Sequence, residues 1–315
     1  MNESDIIARL RAHFPRIGDD AAVIGRQVIT NDMLIEDVDF TLSIPLELIA
    51  RKALAVNLSD LAAMGAKPQY VLIATGIPAS VDAMQLTEAF IKAANEYDIE
   101  IIGGDLSGAE KLTISITAIG ESDRPLLRSG AKPGDRIYVS RPIGASAAGL
   151  YLLQHGWTLT DGPPTVGYAT KEFALSAIRR HVDPEPEVAL GMKLSAIAEV
   201  TACIDISDGL STDLHHLCEA SQCGAEIERE RIPTFPDLLG SGNALGIRPQ
   251  DVVLHGGEEL ALLFTSSLRE SELSARAGRP VYAIGRVTKG RDVLLNGEKL
   301  EARGFDHFRG GGAAP

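Results

Sequence analysis

Residues 203–217, CIDISDGLSTDLHHL, place Asp205, Ser207, Asp208 and Asp213 within nine positions, where a short apolar strand hands over to a helix. Isolated acids beside Gly, Ser or Asn recur elsewhere: Asp19 and Asp20 in GDDAA, Asp32 in TNDML, Asp60 in NLSDLAAMG and Asp105 in IIGGD. Any one of these can serve as a turn former or helix cap. Asp60 resists that reading. Its neighbours Ala53, Ala55, Leu58, Leu61, Ala62 and Ala63 leave the helix little polar face, and the one nearby cation, Lys67, lies beyond the helix end. A buried, unpaired carboxylate is expensive to keep ionised, and two carboxylates about 4 Å apart repel by about 4 kcal/mol at an effective dielectric near 20. Acids gathered together therefore call for a cation. Oxygen donors from Asp, Ser, Thr and Asn, without Cys/His spacing, suit Mg2+, which shares itself between a few carboxylates and substrate phosphates.

Within the same stretch, Asp205 and Ser207 project to one side of the strand end, and Ser207 or Asp208 can cap the helix that starts near Gly209. Leu210, Leu214, Leu217 and Cys218 form the inward stripe of that helix, and His215 and His216 are expected on its surface. The chain has no G-x-x-x-x-G-K-[ST] phosphate loop, no G-x-G-x-x-G turn, no G-x-S-x-G elbow and no H-E-x-x-H. A bound nucleotide would therefore be held by none of the common loops.

The elements that must position these acids follow from periodicity. Residues 18–24 and 27–35 read as two extended segments joined by a turn, with Val28, Thr30 and Asp32 on one side of the second. Residues 45–64 have helical spacing through Leu46, Ile49, Ala53, Leu54, Leu58 and Leu61, and stop at Gly65 and Pro68. YVLIATGIP, IEIIGGD and LTISITAIGE are further strands, with a helix over 82–97. RSGAKPGD, 128–135, is turn-rich and marks the expected boundary between domains 1–135 and 136–308, with 309–315 as a flexible tail. Past it, RIYVSRPIG is a strand and loop, ASAAGLYLLQHG a helix, and 173–200 helical material broken by Pro184 and Pro186. DVVLHGGEELALLFT reads as loop plus strand, followed by strands in PVYAIGRV and VLLNGEKL. Strands and helices mix in both halves, so the class is α/β (α+β).

Composition narrows the partners. Acids outnumber Lys plus Arg by 43 to 30, and the excess is spread along the chain, which argues against nucleic acid or an anionic membrane. No run approaches the roughly 18 apolar residues of a membrane span, and the N-terminal segment lacks the features of a signal peptide. Three cysteines with no C-x-x-C pair indicate neither a disulfide framework nor a zinc knuckle. A cytoplasmic location is expected.

GDDAAVI, NLSDLAAMGAKP, IIGGD, RSGAKPGD, IDISDGLSTDL, GGEE and the late GFDHF stand in an order and at spacings that resemble the thiamine-monophosphate kinase family, within the superfamily of aminoimidazole ribonucleotide synthetase and selenophosphate synthetase. The resemblance runs from Ile17 to Phe308. It implies ATP-dependent phosphorylation of thiamine monophosphate to thiamine diphosphate with Mg2+, by direct in-line transfer. It also implies a homodimer whose N-terminal sheets join into a barrel, each chain carrying a C-terminal α/β domain. Carried over by motif, the metal positions are Asp20, Thr30, Asn31, Asp32, Asp60, Asp105, Asp205 and Asp208. Tyr97, Gly104, Asp105, Arg128 and Ser207 match ATP-contacting positions, with Asp208, Asp105 and Arg128 at the reaction itself; Arg128 also reads as a domain-boundary salt bridge. Asp39, Glu258 and Phe305 fall on the acceptor side.

Departures cluster on that acceptor side. Asp39 stands where the family usually has His, Leu260 and Ala261 where an acid and an aromatic are common, and Glu187 where an Arg often follows Pro-x-Pro; beside the metal, Asn31 stands where the family has Thr. Two other readings stay open. One is an ATP-dependent synthetase of the same superfamily, although a selenophosphate synthetase would carry a reactive Cys near the N-terminus and this chain has none before Cys203. The other is a catalytically silent nucleotide or metal binder.

Overall fold

Apolar alternation in residues 22–121 builds one sheet, with a helix laid across it. The structure, a computed structural model, describes residues 3–14, 16–162 and 167–305; the expected tail 309–315 lies outside the described residues. The first half contains α1 (Glu3–Arg11), β1 (Ala22–Ile24), β2 (Gln27–Ile35), α2 (Leu46–Ala63), β3 (Lys67–Ile77), α3 (Ala83–Glu96), β4 (Glu100–Gly108) and β5 (Thr113–Glu121). Its strands form a five-stranded sheet in the order β1-β2-β5-β3-β4, with β3 and β4 parallel and the other pairs antiparallel. In β2, Val28, Thr30 and Leu34 are buried while Asn31 and Met33 are exposed, the alternation expected of a half-buried strand.

The sheet's outer face is uncovered. Met33, Ser115, Ala74 and Asp105 pair in a row across β2, β5, β3 and β4, and Tyr70 and Leu72 are exposed on β3. β4 is exposed along its whole length. Among the described residues the sheet is open, with β1 and β4 as its edges, so the expected barrel is not closed within one chain.

Helix α2 is buried nearly all round, through Ile49, Ala53, Leu54, Leu58, Leu61 and others, as an apolar helix held between two layers must be. It ends at Gly65, whose φ of +63° completes the turn. Four polar side chains, Lys52, Asn57, Ser59 and Asp60, come from this enclosed helix and need partners in the interior. Those partners define the site.

The second half contains β6 (Arg136–Val139), α4 (Ala145–Gln154), α5 (Tyr168–Val182), α6 (Val188–Ser195), β7 (Val200–Asp205), α7 (Leu210–Ser221), β8 (Gly224–Ile227), α8 (Pro249–His255), β9 (Leu262–Ser266), α9 (Glu270–Ala277), β10 (Tyr282–Thr288), β11 (Val293–Leu295) and β12 (Glu298–Lys299). Seven strands pair as β12-β11-β8-β10-β6-β9-β7, with β8 and β11 parallel and the rest antiparallel. Helix α6 packs so closely on α2 that a Cβ at Gly191 would lie 2.0 Å from the Ala62 carbonyl oxygen. The mixed α/β class with two sheets is as expected. No helix of the described residues is long and apolar enough to cross a membrane.

Two local readings are corrected. DVVLH, read above as the loop ahead of a strand, is helical, forming most of α8, with Pro249 in its first turn and Val252, Val253 and Leu254 buried; so short an apolar run carries too little period to mark a helix. Neither Ser207 nor Asp208 occupies the N-cap position of α7. Its N-cap position is Gly209, and Asp213 inside the first turn accepts the Gly209 N–H at 2.9 Å.

Candidate active site

The loop before β1, the buried helix α2 and the end of β7 bring carboxylate oxygens of Asp20, Asp60 and Asp205 within 4.8 Å of one another. Each acid is steadied by a neighbour. Thr30 Oγ1 donates to Asp60 Oδ2 at 2.5 Å, Ser59 Oγ donates to Asp205 Oδ2 at 2.5 Å, and the Arg128 guanidinium donates to Asp20 Oδ1 at 2.7 and 3.1 Å. Asn57 Oδ1 accepts the Asp32 N–H at 3.0 Å and so locks β2 onto α2.

These partners do not balance the charge. Burial pushes Asp20 up to about 7 against the pull of Arg128, and pushes Asp205 up to about 6 against the hydrogen bond from Ser59. Asp60 is raised well above the ordinary carboxylate range by burial and then by the charges of Asp32, Asp205 and Asp20. Asp20 Oδ2 and Asp205 Oδ1 are buried with no hydrogen-bond partner among the described residues. Hard oxygens, unfilled lone pairs and mutual repulsion together fit a divalent cation such as Mg2+.

A second acidic group adjoins the first. Asp208, Asp213 and His216 also place ligand atoms within 4.8 Å of one another. Asp213 is raised well above the ordinary range by burial and by Asp208, while burial lowers His216 to about 4. His215 and His216 are half-buried rather than on an open surface. Asp213, named above with Asp205 and Asp208, and His216, expected on the surface, are not among the motif-matched metal positions; their three-residue spacing puts them on one face of α7.

Of the residues expected on the acceptor side, Glu258 and Asp39 are joined through Lys52, and Phe305 is held by the backbone of Asp208. Ser207 O accepts the Glu258 N–H at 2.7 Å, and Asp208 O accepts the N–H of Phe305 at 3.2 Å, with the Phe305 side chain exposed. Glu258 Oε1 lies 2.7 Å from Lys52 Nζ, and Lys52 also donates to the Asp39 carbonyl oxygen at 3.2 Å. The Asp39 carboxylate accepts the Ile35 N–H at 2.7 Å. Leu260 and Ala261 are buried in the core. Glu187 is buried between Arg279, at 2.8 Å, and Arg141, at 3.7 Å.

Four expected residues stay apart from the carboxylate cluster within one chain. Asn31 turns its amide to the outer face, where it donates to Ser115 Oγ at 3.2 Å and Thr117 Oγ1 at 3.0 Å, because adjacent strand residues point to opposite faces. Asp105 and Gly104 lie on the exposed edge strand β4, and three strand spacings separate β4 from β2, about 14 Å. Tyr97 follows α3, and the Arg51 guanidinium sits 4.9 Å over its ring. Arg51 in turn binds Asp183, Glu185 and Glu96.

Comparison with known proteins places this geometry in a family. Residues 18–122 match the family model of the AIR synthase related protein N-terminal domain, and 132–296 that of its C-terminal domain. A protein of Escherichia coli (strain K12) named thiamine-monophosphate kinase is 37% identical over 313 residues, covering 93% of this chain and 91% of that one. The protein of that name from Bacillus subtilis (strain 168) is 37% identical over 321 residues, covering 93% of each. A solved structure described as AaThiL complexed with AMPPCP and TMP superposes with a TM-score of 0.87 at 31% identity, covering 98% of this chain and 97% of that one.

Proposed function

The chain belongs to the thiamine-monophosphate kinase family, and on that premise we propose that it transfers the γ-phosphoryl group of ATP to thiamine monophosphate, in line and with Mg2+. The observation that carries this reading is the convergence of Asp20, Asp60 and Asp205 with two buried, unpartnered oxygens. Asp20, Thr30, Asp32, Asp60, Asp205 and Asp208 would hold the metal, which supplies charge neutralisation to two approaching phosphates. Arg128, paired with Asp20, brings a fixed positive charge to the same place and serves the reaction together with Asp208. Ser207 takes part in holding the nucleotide. Asp39, Glu258 and Phe305 face the acceptor. Phosphoryl transfer asks the protein mainly for positioning and preorganised charge, and the buried helix α2 supplies a rigid base for both.

Homodimer formation belongs to the same proposal. The uncovered sheet face with Met33, Tyr70 and Leu72 supports a second copy packing there, and Asp105, Gly104 and Tyr97 would act in ATP and metal binding through that assembly. Division at 135/136 and a cytoplasmic location are part of this reading too. The deciding experiment is a phosphorus NMR assay of the purified protein with Mg-ATP and thiamine monophosphate. Thiamine diphosphate and ADP in equal amounts are expected; free phosphate without thiamine diphosphate would overturn the proposal.

A further inference from the structure

A buried lysine lies beneath the acceptor end of the site, and nothing in the phosphoryl-transfer chemistry above uses it. Lys52 on α2 is 1% exposed. Its ammonium group reaches Glu258 Oε1 at 2.7 Å on one side and the Asp39 carbonyl oxygen at 3.2 Å on the other. His181 Nδ1, also buried, lies 3.3 Å from Glu258 Oε2 and 3.1 Å from Ser146 Oγ. The Glu258 side chain keeps 32% of its surface exposed, so it is anchored from below and open above.

Stability alone does not call for a lysine here. Burying an ammonium group costs more than burying Leu or Met, and replacing a buried ion pair by apolar residues is often neutral or stabilising. His181 does not take over the charge balance, because burial and the proximity of Lys52 lower it to about 3 and keep it neutral. Lys52 is thus the cation that matches Glu258. The tether also bears on backbone shape. Glu258 and Leu260 hold φ values of 57° and 49°, a region that side chains other than glycine adopt at a cost and that persists where surrounding contacts enforce it.

We propose that Lys52 is a positioning residue for the phosphate acceptor, pinning the Glu258 side chain and the Asp39 backbone to the same helix that carries Asp60. Lys52 and Asp60 are eight positions apart on α2, about 12 Å along the axis. The helix therefore acts as a ruler between the acceptor-recognising end and the carboxylate cluster. This inference rests on the reading of Glu258 and Asp39 as acceptor residues.

Its test compares full-length wild type, Lys52→Met, Glu258→Gln and the double variant in steady-state assays with Mg-ATP and thiamine monophosphate. Lys52→Met is expected to raise the KM for thiamine monophosphate by at least about tenfold, while the KM for ATP and kcat stay within about threefold. Because the two side chains act as a unit, the double variant should have the KM of Glu258→Gln alone. The double variant leaves no uncompensated buried charge, so it keeps the comparison open if Lys52→Met fails to fold. Additive effects on KM, a parallel rise in the KM for ATP, or an unchanged acceptor KM would overturn the inference while leaving the kinase reading intact. A wild-type protein that makes no thiamine diphosphate would overturn both.

Discussion

Ser59, in the C-terminal third of α2, donates its hydroxyl to Oδ2 of Asp205, the last residue of β7, at 2.5 Å, and both residues are buried. The bond joins the helix beneath the first sheet to the edge strand of the second, at the centre of the carboxylate cluster. Ser59→Ala would leave a second oxygen of Asp205 without a partner, in addition to Oδ1. An unsatisfied buried group costs about 1–3 kcal/mol. A fall of several degrees in Tm is expected in a thermal melt, and an unchanged Tm would remove this bond from the account of how the halves are held.

Metal and nucleotide should stabilise the fold together. A ligand at a hundred times its Kd adds about 2.7 kcal/mol to the folded state. Tm is therefore expected to rise clearly with Mg2+ plus nucleotide, and hardly at all with monovalent salt of equal ionic strength. Asp60→Asn should abolish both the shift and turnover while keeping the far-UV circular dichroism of the wild type; wild-type turnover in that variant would contradict the assignment.

The cluster also predicts a pH dependence with a definite sign. Burial lifts Asp205 from an ordinary 3.8 to about 6 in the folded protein. The unfolded chain then ionises first, so this residue's contribution becomes less favourable as pH climbs from about 4 to about 6, and the loss is complete above that. In the presence of a chelator, Asp205→Asn should be more stable than wild type at neutral pH by an amount on the order of 3 kcal/mol, seen as a higher Tm, and the gap should close as pH falls through this window. Saturating Mg2+ should reverse the order, because a cation favours the ionised carboxylate. A difference that is flat with pH in chelator would count against the burial argument.

Arg128 is paired with Asp20 at the cluster, and its backbone N–H also binds the Asp19 carboxylate at 2.8 Å. Arg128→Met removes the cation and leaves Asp20 buried beside other acids, a change that costs about 3–5 kcal/mol in comparable buried pairs. Turnover is expected to fall by at least about two orders of magnitude, in line with the loss of a charge placed at a transferring phosphoryl group. Near-wild-type kcat with a lowered Tm would assign Arg128 to structure alone.

Much of this was legible without coordinates. Alternation in 27–35 put Val28, Thr30 and Asp32 on one side, and the apolar surroundings of Asp60 marked it as an acid in need of a partner. Lys52 was missed, since a single lysine in a helical run reads as a side chain reaching solvent, and only the enclosure of α2 on all sides turns it into a buried ion. The run 251–255 was misread because so short an apolar segment has no period of its own.

By itself the sequence determined which residues have metal-binding chemistry and how each side chain points within its own element, because helix and strand periods are local. Which of those acids meet was decided by tertiary structure. Asp20, Asp60 and Asp205 converge because α2 is clamped between the two sheets. Asp105, as acidic as the rest and preceded by two glycines, stands apart because strand order puts β4 at the far edge. Strand order depends on long-range pairing, and nothing in the local spacing of residues encodes it.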